Sequence, residues 1–405
     1  MDILPILSTL RRHKTACVLI VLEIALSCAI ICNAVFLISG RVERMQRPTG
    51  LADNELVVIH MAGIGRDDNA QAETRRDLAA LRALPGVKAA TRTNQVPFGN
   101  SSWNTGIRMT AEQKASTVNA TDYMAEEGFL DAFGLELVQG RNFNPDEYLD
   151  WEDFSEPGAE LSIPAAIITR SLAERLFPGD SAVGKSFYSW GEEPMRVVGV
   201  VDRLIRPNDE EGPTGAQYSM IFPMRFPYMF TVLRTDPERR AEVMDAAIAE
   251  LERLNPRRVL ISNDTFAQMI DDWYQADRAM VWLLIAVCVA LLVVTALGIV
   301  GLASFWVQQR TKQIGVRRAL GATRGQILRY FQTENLLLAT LGIVLGMLLA
   351  YGINQLLMEH YELSRLPLAY LPTGAVALWL LGQVAVYWPA RRAATVPPAV
   401  ATRSV

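Results

Sequence analysis

The sequence predicts a membrane α-helical protein with four transmembrane helices and a large extracytoplasmic α+β domain, made of a β-α-β layer plus an inserted β-rich subdomain. Three observations predict it. Apolar residues gather in four blocks, 16–40, 279–307, 335–358 and 368–388, each long enough for the roughly 20 residues a spanning helix needs, although mean hydropathy over the whole chain is only slightly positive. Charge is divided unevenly: residues 41–278 hold 38 acidic and 26 basic side chains, a balance of −12 in a chain whose net charge is −4. The remaining Lys and Arg flank the blocks, and the positive-inside bias puts those flanks in the cytoplasm and the acidic stretch outside. Within that stretch, strand-like and helix-like patterns alternate.

Residues 1–15 carry Ile3, Leu4, Ile6, Leu7 and Leu10 ahead of Arg11, Arg12, His13 and Lys14, the pattern of a short amphipathic helix on the inner membrane surface. Block 16–40 is the first span. A cleaved signal peptide is the rival reading, but its apolar core is usually about 7–15 residues and no A-x-A site follows; Ala25-Leu-Ser-Cys28 matches a lipoprotein cleavage box poorly. Glu23 and Asn33 are the intramembrane polar residues. A charged side chain at a helix centre costs about 2.5–3.5 kcal/mol on insertion scales, so Glu23 must face protein, water or headgroups, either as one polar contact or as a proton relay.

The outer domain spans 41–278. Glu55–Met61 reads as a strand, Asn69–Leu84 as a helix and Val87–Thr93 as a second strand, with Pro85-Gly86 turning between them. The order returns at Phe230–Arg234, Pro237–Leu254 and Val259–Ser262. Two β-α-β units on either side of an insertion, about 97–226, make one α/β layer. Asp264–Asp277 then reads as a helix leading without a breaker into the second span, 279–307. Residues 308–334 form a basic loop with a helix-turn character: Ile314, Leu320, Ile327 and Leu328 keep helical spacing, and Gly315, Gly321 and Ala322 punctuate it. The third span, 335–358, contains Gly342 and Gly346 four apart, small residues that permit close helix packing. An outer loop, 359–367, the fourth span, 368–388, with Tyr387 and Trp388 at the inner interface, and a basic tail, 389–405, complete the chain.

Candidate chemistry is sparse. His13, His60 and His360 lie far apart, and Cys17, Cys28, Cys32 and Cys288 all fall in apolar blocks, so no catalytic base, disulfide framework or metal set emerges. Gly179-Asp-Ser-Ala-Val-Gly184-Lys185-Ser186 satisfies the phosphate-loop pattern without a strand before it or a helix after it. The acidic outer stretch excludes a nucleic-acid binder. The acidic runs Asp209–Glu211 and Glu152–Glu160 read as solvated loops, and Arg141 and Arg225 as surface arginines that an anionic substrate would otherwise have to claim.

Arg310–Ala322, RTKQIGVRRALGA, resembles the coupling segment of the FtsX-like permease family, which includes MacB-type and LolC/LolE-type transporters and usually shows R-x-x-E-I-G-I-R-R-A-L-G-A followed by a helix beginning near a Glu, here Glu334. Gly134–Phe143, Ala166–Phe177, Ala182–Lys185 and Met195–Val201 are similar to segments of MacB-type periplasmic core domains, and Pro389–Pro397 resembles the family's P-A-R-R-A-A-x-x-x-P tail. The resemblance covers essentially the whole chain and implies a non-catalytic permease subunit of an ABC transporter in the cell inner membrane, both termini cytoplasmic. It implies that Arg310, Lys312, Gln313, Ile314, Gly315, Arg317, Arg318, Leu320, Gly321 and Ala322 couple to an ABC ATPase on a separate chain. ATP and Mg belong to that partner, and this chain binds no cofactor or metal itself. A second permease copy, identical or related, is implied, with a periplasmic adaptor and an outer-membrane channel as further candidates beside membrane lipids. Gln313 departs from the family's Glu, giving up charge assistance in its hydrogen bonds and tilting the expectation toward a mixed pair. The resulting function is mechanotransmission: ATP hydrolysis drives motion of the outer domain for export of a peptide, antibiotic, lipoprotein or similar substrate. An FtsX-like regulator of a cell-wall hydrolase and a membrane-anchored sensor are the rivals.

Overall fold

The computed structural model describes residues 14–63, 69–99, 101–154, 162–208, 212–227, 229–361 and 366–395; residues 1–13 of the N-terminal amphipathic segment, the acidic run from residue 155 to 160, the run Asp209–Glu211 and the tail from residue 396 lie outside them. The chain divides into two compact units, 44–275 and the remainder. Helix α1 (Lys14–Met45) opens the described chain.

In the outer unit, β1 (Leu56–Gly63), α2 (Ala70–Arg82) and β2 (Val87–Thr93) form the first β-α-β unit. The insertion supplies β3 (Asn104–Ile107), β4 (Val118–Met124), α3 (Phe129–Phe133), β5 (Leu137–Gly140), β6 (Leu149–Asp150), α4 (Trp151–Phe154), β7 (Ala165–Thr169) and α5 (Arg170–Leu176). It continues through β8 (Ser186–Phe187), β9 (Met195–Val201), α6 (Gly212–Gly215), β10 (Ser219–Phe222) and β11 (Met224–Arg225). The second β-α-β unit is β12 (Phe230–Thr235), α7 (Arg240–Leu254) and β13 (Arg258–Thr265), followed by α8 (Phe266–Trp273).

The two β-α-β units interleave. Their four-stranded sheet has the order β13-β1-β12-β2, antiparallel at every step, so each unit leaves a gap that a strand of the other fills. Period-two alternation decides the faces. Val57 and Ile59 of β1 point to α2 and α7, packing with Leu78, Leu81, Val243, Ala247 and Leu251. Leu56 and Val58 point the other way, into a core shared with Phe129, Phe133 and Ile167 of the insertion. The insertion is a mixed seven-stranded sheet, β3-β4-β10-β7-β9-β5 with β8 on β9.

The segment 264–277 differs from its expected form. β13 runs on to Thr265, which caps α8 reciprocally with Gln268: the Gln268 amide donates to the Thr265 hydroxyl at 3.3 Å and the Thr265 amide to Gln268 Oε1 at 2.9 Å. α8 stops at Trp273, and Tyr274, at φ −91° and ψ 10°, separates it from the next helix. Tyr274 is buried, and its hydroxyl donates to the Arg44 carbonyl at 3.3 Å. Phe98 supports this joint: it is buried in a left-handed conformation (φ 60°), with the rings of Phe266, Trp273 and Tyr274 5.5 to 5.9 Å away. A bulky residue adopts that conformation only where packing holds it there.

The membrane unit contains α1 and four C-terminal helices: α9 (Gln275–Gln309), α10 (Thr311–Ala319), α11 (Arg324–Tyr361) and α12 (Leu371–Ala394). Helices α1, α9, α11 and α12 are long and apolar enough to cross a membrane. α1 is the hub, with 56% of its apolar window buried against 11% for α9. Small residues bring the others onto it. A Cβ at Gly346 would lie 2.5 Å from Cys28 Cβ, one at Gly342 would lie 2.8 Å from Ile24, and one at Gly374 would lie 2.6 Å from Cys32 Sγ. Polar contacts join α1 to the other helices as well: the Ser27 and Thr295 hydroxyls lie 2.8 Å apart, Asn33 donates to the Ala29 and Ala350 carbonyls, and Arg41 pairs with Asp277.

Phe98→Ala keeps the left-handed backbone and removes the ring that holds it, so it should cost about 3 kcal/mol, lowering the outer unit's melting midpoint by roughly 6–12 °C. Calorimetry of the detergent-solubilised full chain measures this, and an unchanged midpoint refutes the bracing role.

Candidate functional site

The basic loop folds into an elbow whose angle is set by local hydrogen bonding. α10 ends in a left-handed Gly321 (φ 97°): the Gly321 amide donates to the Arg318 carbonyl at 3.1 Å and the Ala322 amide to the Arg317 carbonyl at 3.0 Å. This is the paired pattern that closes a helix C-terminus on glycine. Two residues later Thr323 and Gln326 cap the start of α11 reciprocally, at 2.9 and 3.3 Å. ALGATRGQ thus encodes one stop and one start with no slack between them.

Beneath the elbow lies an ion pair. Arg310 Nη1 donates to both Glu334 oxygens, at 2.9 and 3.1 Å, and its guanidinium lies 5.4 Å from the Trp306 ring. Arg310 is 7% exposed and Glu334 1%. The family resemblance implied that Arg310 meets a partner; the structure turns it inward to join the end of α9 to α11. Ile314 and Gly315 are also buried, Ile314 in a cluster with Val307, Ile327, Phe331 and Ala390. Arg318 donates to the Ala394 carbonyl at 2.9 Å, tying α10 to the end of α12. The residues left facing outward are Lys312, Gln313, Arg317, Leu320 and Gly321, with Ala322 half-buried at the turn. Leu320 is 83% exposed, and Val316, four residues earlier on the same face, is 51% exposed. Val316 is not among the residues the family resemblance singles out; its spacing of four from Leu320 is the signal the sequence carries for it. Glu334 marks a helix start in the sequence, and nothing local announces its partner 24 residues away.

Other candidates resolve into structure. Glu23 packs against α9, where a Cβ at Gly298 would fall 2.5 Å from its carboxylate. The Cys28 and Cys32 thiols each donate to a backbone carbonyl at 3.8 Å. Lys185 of the phosphate-loop pattern pairs with Asp180 at 2.8 Å, and the pattern runs into strand β8. Arg141 is held by both oxygens of Glu147; Arg225 is ringed by Glu126, Glu127 and Asp150. Among the described residues no group of three His, Cys, Asp or Glu is placed to hold a metal.

Two buried acids of the outer unit stand apart. Desolvation pushes Asp122 up to about 7 despite hydrogen bonds from Thr105 and Trp190 and the nearby Arg206 charge. Desolvation also raises Glu126 to about 7, against the opposing charge of Arg225.

The model of the MacB-like periplasmic core domain matches residues 18–251, and that of the FtsX-like permease C-terminal domain matches residues 285–398. The chain belongs to the MacB-like, FtsX-type family of ABC transporter permeases. The FtsX-like match contains the whole elbow, from Arg310 to Glu334. The chain is 28% identical over 411 residues to the macrolide export ATP-binding/permease protein MacB 1/2 of Paracoccus denitrificans, covering 97% of this chain and 57% of that protein. It is 22% identical to the uncharacterized ABC transporter permease YknZ of Bacillus subtilis, covering 98% of this chain and 97% of that one. The chain spans between 57 and 59% of the length of three MacB relatives. The periplasmic region of MacB from Actinobacillus actinomycetemcomitans aligns over 57% of this chain and 98% of its own, with a TM-score of 0.35 and 16% identity. As a member of this permease family the protein is a membrane protein with an extracytoplasmic domain.

Removing one partner of a buried ion pair strands the other. Glu334→Ala should cost about 3–5 kcal/mol in thermal unfolding, while Arg310→Met with Glu334→Leu should recover most of it; equal losses in the single and double variants would contradict the pairing. The acids give a pH signature. Asp122 holds a proton in the folded state that the unfolded chain releases near pH 4, so its contribution is fully present below that pH and is lost as pH rises through about 7. Asp122→Asn should therefore stabilise the outer unit at pH 8 and change it little at pH 4, read from melting midpoints across that range.

Proposed function

We propose that this chain is the permease part of an ABC transporter that works by mechanotransmission. An ABC ATPase docks on the outward face of α10, through Val316 and Leu320 with Lys312, Gln313 and Arg317 around them. ATP and Mg act on that ATPase, and this chain contributes no catalytic group. The observation that carries the reading is the elbow itself, a short helix with an apolar pair facing outward and its inner side locked by Arg310–Glu334 and Arg318–Ala394. Load on such a helix cannot be absorbed locally. It passes into α9, α11 and α12, and along α9 toward the outer unit, whose change of shape expels a substrate.

The relatives named above as export ATP-binding/permease proteins support export as the direction of work. The basic elbow and tail support an orientation with both termini cytoplasmic, in the inner membrane. A second permease copy completes the assembly, and a periplasmic adaptor and an outer-membrane channel are its further candidates. The exported class is a peptide, antibiotic, lipoprotein or similar molecule.

Gentle solubilisation should retain an ATPase with the wild-type chain. Val316→Asp with Leu320→Asp places two charges where apolar side chains, each worth about 1.5–3 kcal/mol on burial, meet the partner, and should reduce retention at least about tenfold. Full retention by that variant would falsify docking at α10.

A further inference from the structure

The inner angle of the elbow holds a cavity of about 140 Å³, lined by Arg310, Gln313, Ile314, Arg317, Ala322, Gln326, Ile327, Tyr330 and Phe331. Its lining contains two guanidinium groups, two amides and no carboxylate. Arg310 spends Nη1 on Glu334, whereas its Nη2, buried with the rest of that side chain, has no hydrogen-bond acceptor. A buried guanidinium N–H without an acceptor is costly and marks a place where an acceptor belongs. Arg317, exposed and 5.1 Å over the Tyr330 ring, stands at the mouth with no ion pair among the described residues. Gln326 uses its Oε1 in the α11 cap, and Gln313 is exposed at the rim.

We infer that this cavity binds the phosphate of an anionic glycerophospholipid from the leaflet on the elbow's side of the membrane. Three features favour a lipid over a partner's carboxylate. Arg310 follows directly on the spanning helix α9, which puts the cavity at the end of a membrane span. Trp388, 66% exposed near the end of α12, carries Arg392 over its ring at 6.0 Å, an interfacial Trp–Arg pair on the same side. The lining is also half apolar, with Ile314, Ile327, Phe331 and Ala322 beside the cations, suited to a phosphate that brings a glycerol backbone with it. Basic pockets between spanning helices recognise anionic headgroups by this combination.

Gln313 decides the sign of the pocket. A carboxylate there would face Arg317 and the free Nη2 and neutralise the cavity from within; the amide leaves it cationic and able to donate. Lipid bound here would fasten the elbow from the membrane side without occupying Val316 or Leu320; because Gln313 and Arg317 also border the proposed ATPase face, lipid binding is read on the chain without the ATPase.

The test uses the full chain in detergent, with phosphatidylglycerol, phosphatidylcholine or inorganic phosphate added, and reads bound lipid by native mass spectrometry and stabilisation by melting. Wild type should retain phosphatidylglycerol over phosphatidylcholine on the order of tenfold. Gln313→Glu should abolish that preference with the melting midpoint in lipid-free detergent unchanged, and Arg317→Gln should weaken it. Equal retention of the two lipids overturns the proposal. So does equal stabilisation by inorganic phosphate, which would make the ligand a free anion. Undiminished phosphatidylglycerol binding by Gln313→Glu, together with loss of a co-purifying ATPase, would assign the pocket to a carboxylate of that protein instead.

Discussion

The buried Arg310–Glu334 pair is the constraint on which the membrane unit's working end depends. An apolar contact between α9 and α11 would tolerate sliding by a fraction of a turn. A guanidinium held by both carboxylate oxygens at 2.9 and 3.1 Å tolerates none without exposing a charge. Desolvating two charges is expensive, and such pairs add little net stability over apolar packing. Their effect is to make one arrangement much better than its neighbours. That fits the rest of the elbow, where a glycine-closed helix end and a capped helix start fix the four residues between α10 and α11 by local hydrogen bonds.

The hub around α1 sets what can move. Helices packed through glycine, as α11 and α12 are on α1, approach so closely that separation forfeits many contacts at once. α9 is different: only 11% of its apolar window is buried. Its contacts with α1 combine Ser27 with Thr295, Arg41 with Asp277 and the Glu23 carboxylate against Gly298 with apolar packing of Ile299, Ala303 and Trp306. A helix with so little of its surface buried forfeits fewer contacts on shifting than α1 would, which is what the proposed relay asks of it.

Length and periodicity made much of this legible in the sequence. Four apolar runs gave four long helices, and the repeated strand-helix-strand order gave a four-stranded layer with helices on one face. Interleaving of the two units was not legible, because strand order depends on which edge is buried and alternation within a strand carries no record of its neighbour. At the elbow the basic and glycine pattern located the site, but helical spacing grouped Leu320 with Ile314, Ile327 and Leu328. The last three pack inward, while Leu320 sits at the closing turn and points out. The resemblance puts Arg310 among the ATPase-facing residues, and nothing in the local sequence points to its partner 24 residues on.

The interruption at Tyr274 has a local cause. An unbroken helix from residue 264 is what the sequence pattern favours, yet β13 runs on to Thr265 and α8 stops at Trp273. Tyr274 is buried, its hydroxyl donates to the Arg44 carbonyl at 3.3 Å, and its ring lies 5.5 Å from that of Phe98. Phe98 meets those rings from a left-handed backbone, which costs a bulky residue free energy that the packing must offset. Burying Tyr274 with both its ring and its hydroxyl engaged therefore outweighs the helical continuity that the local sequence alone would favour.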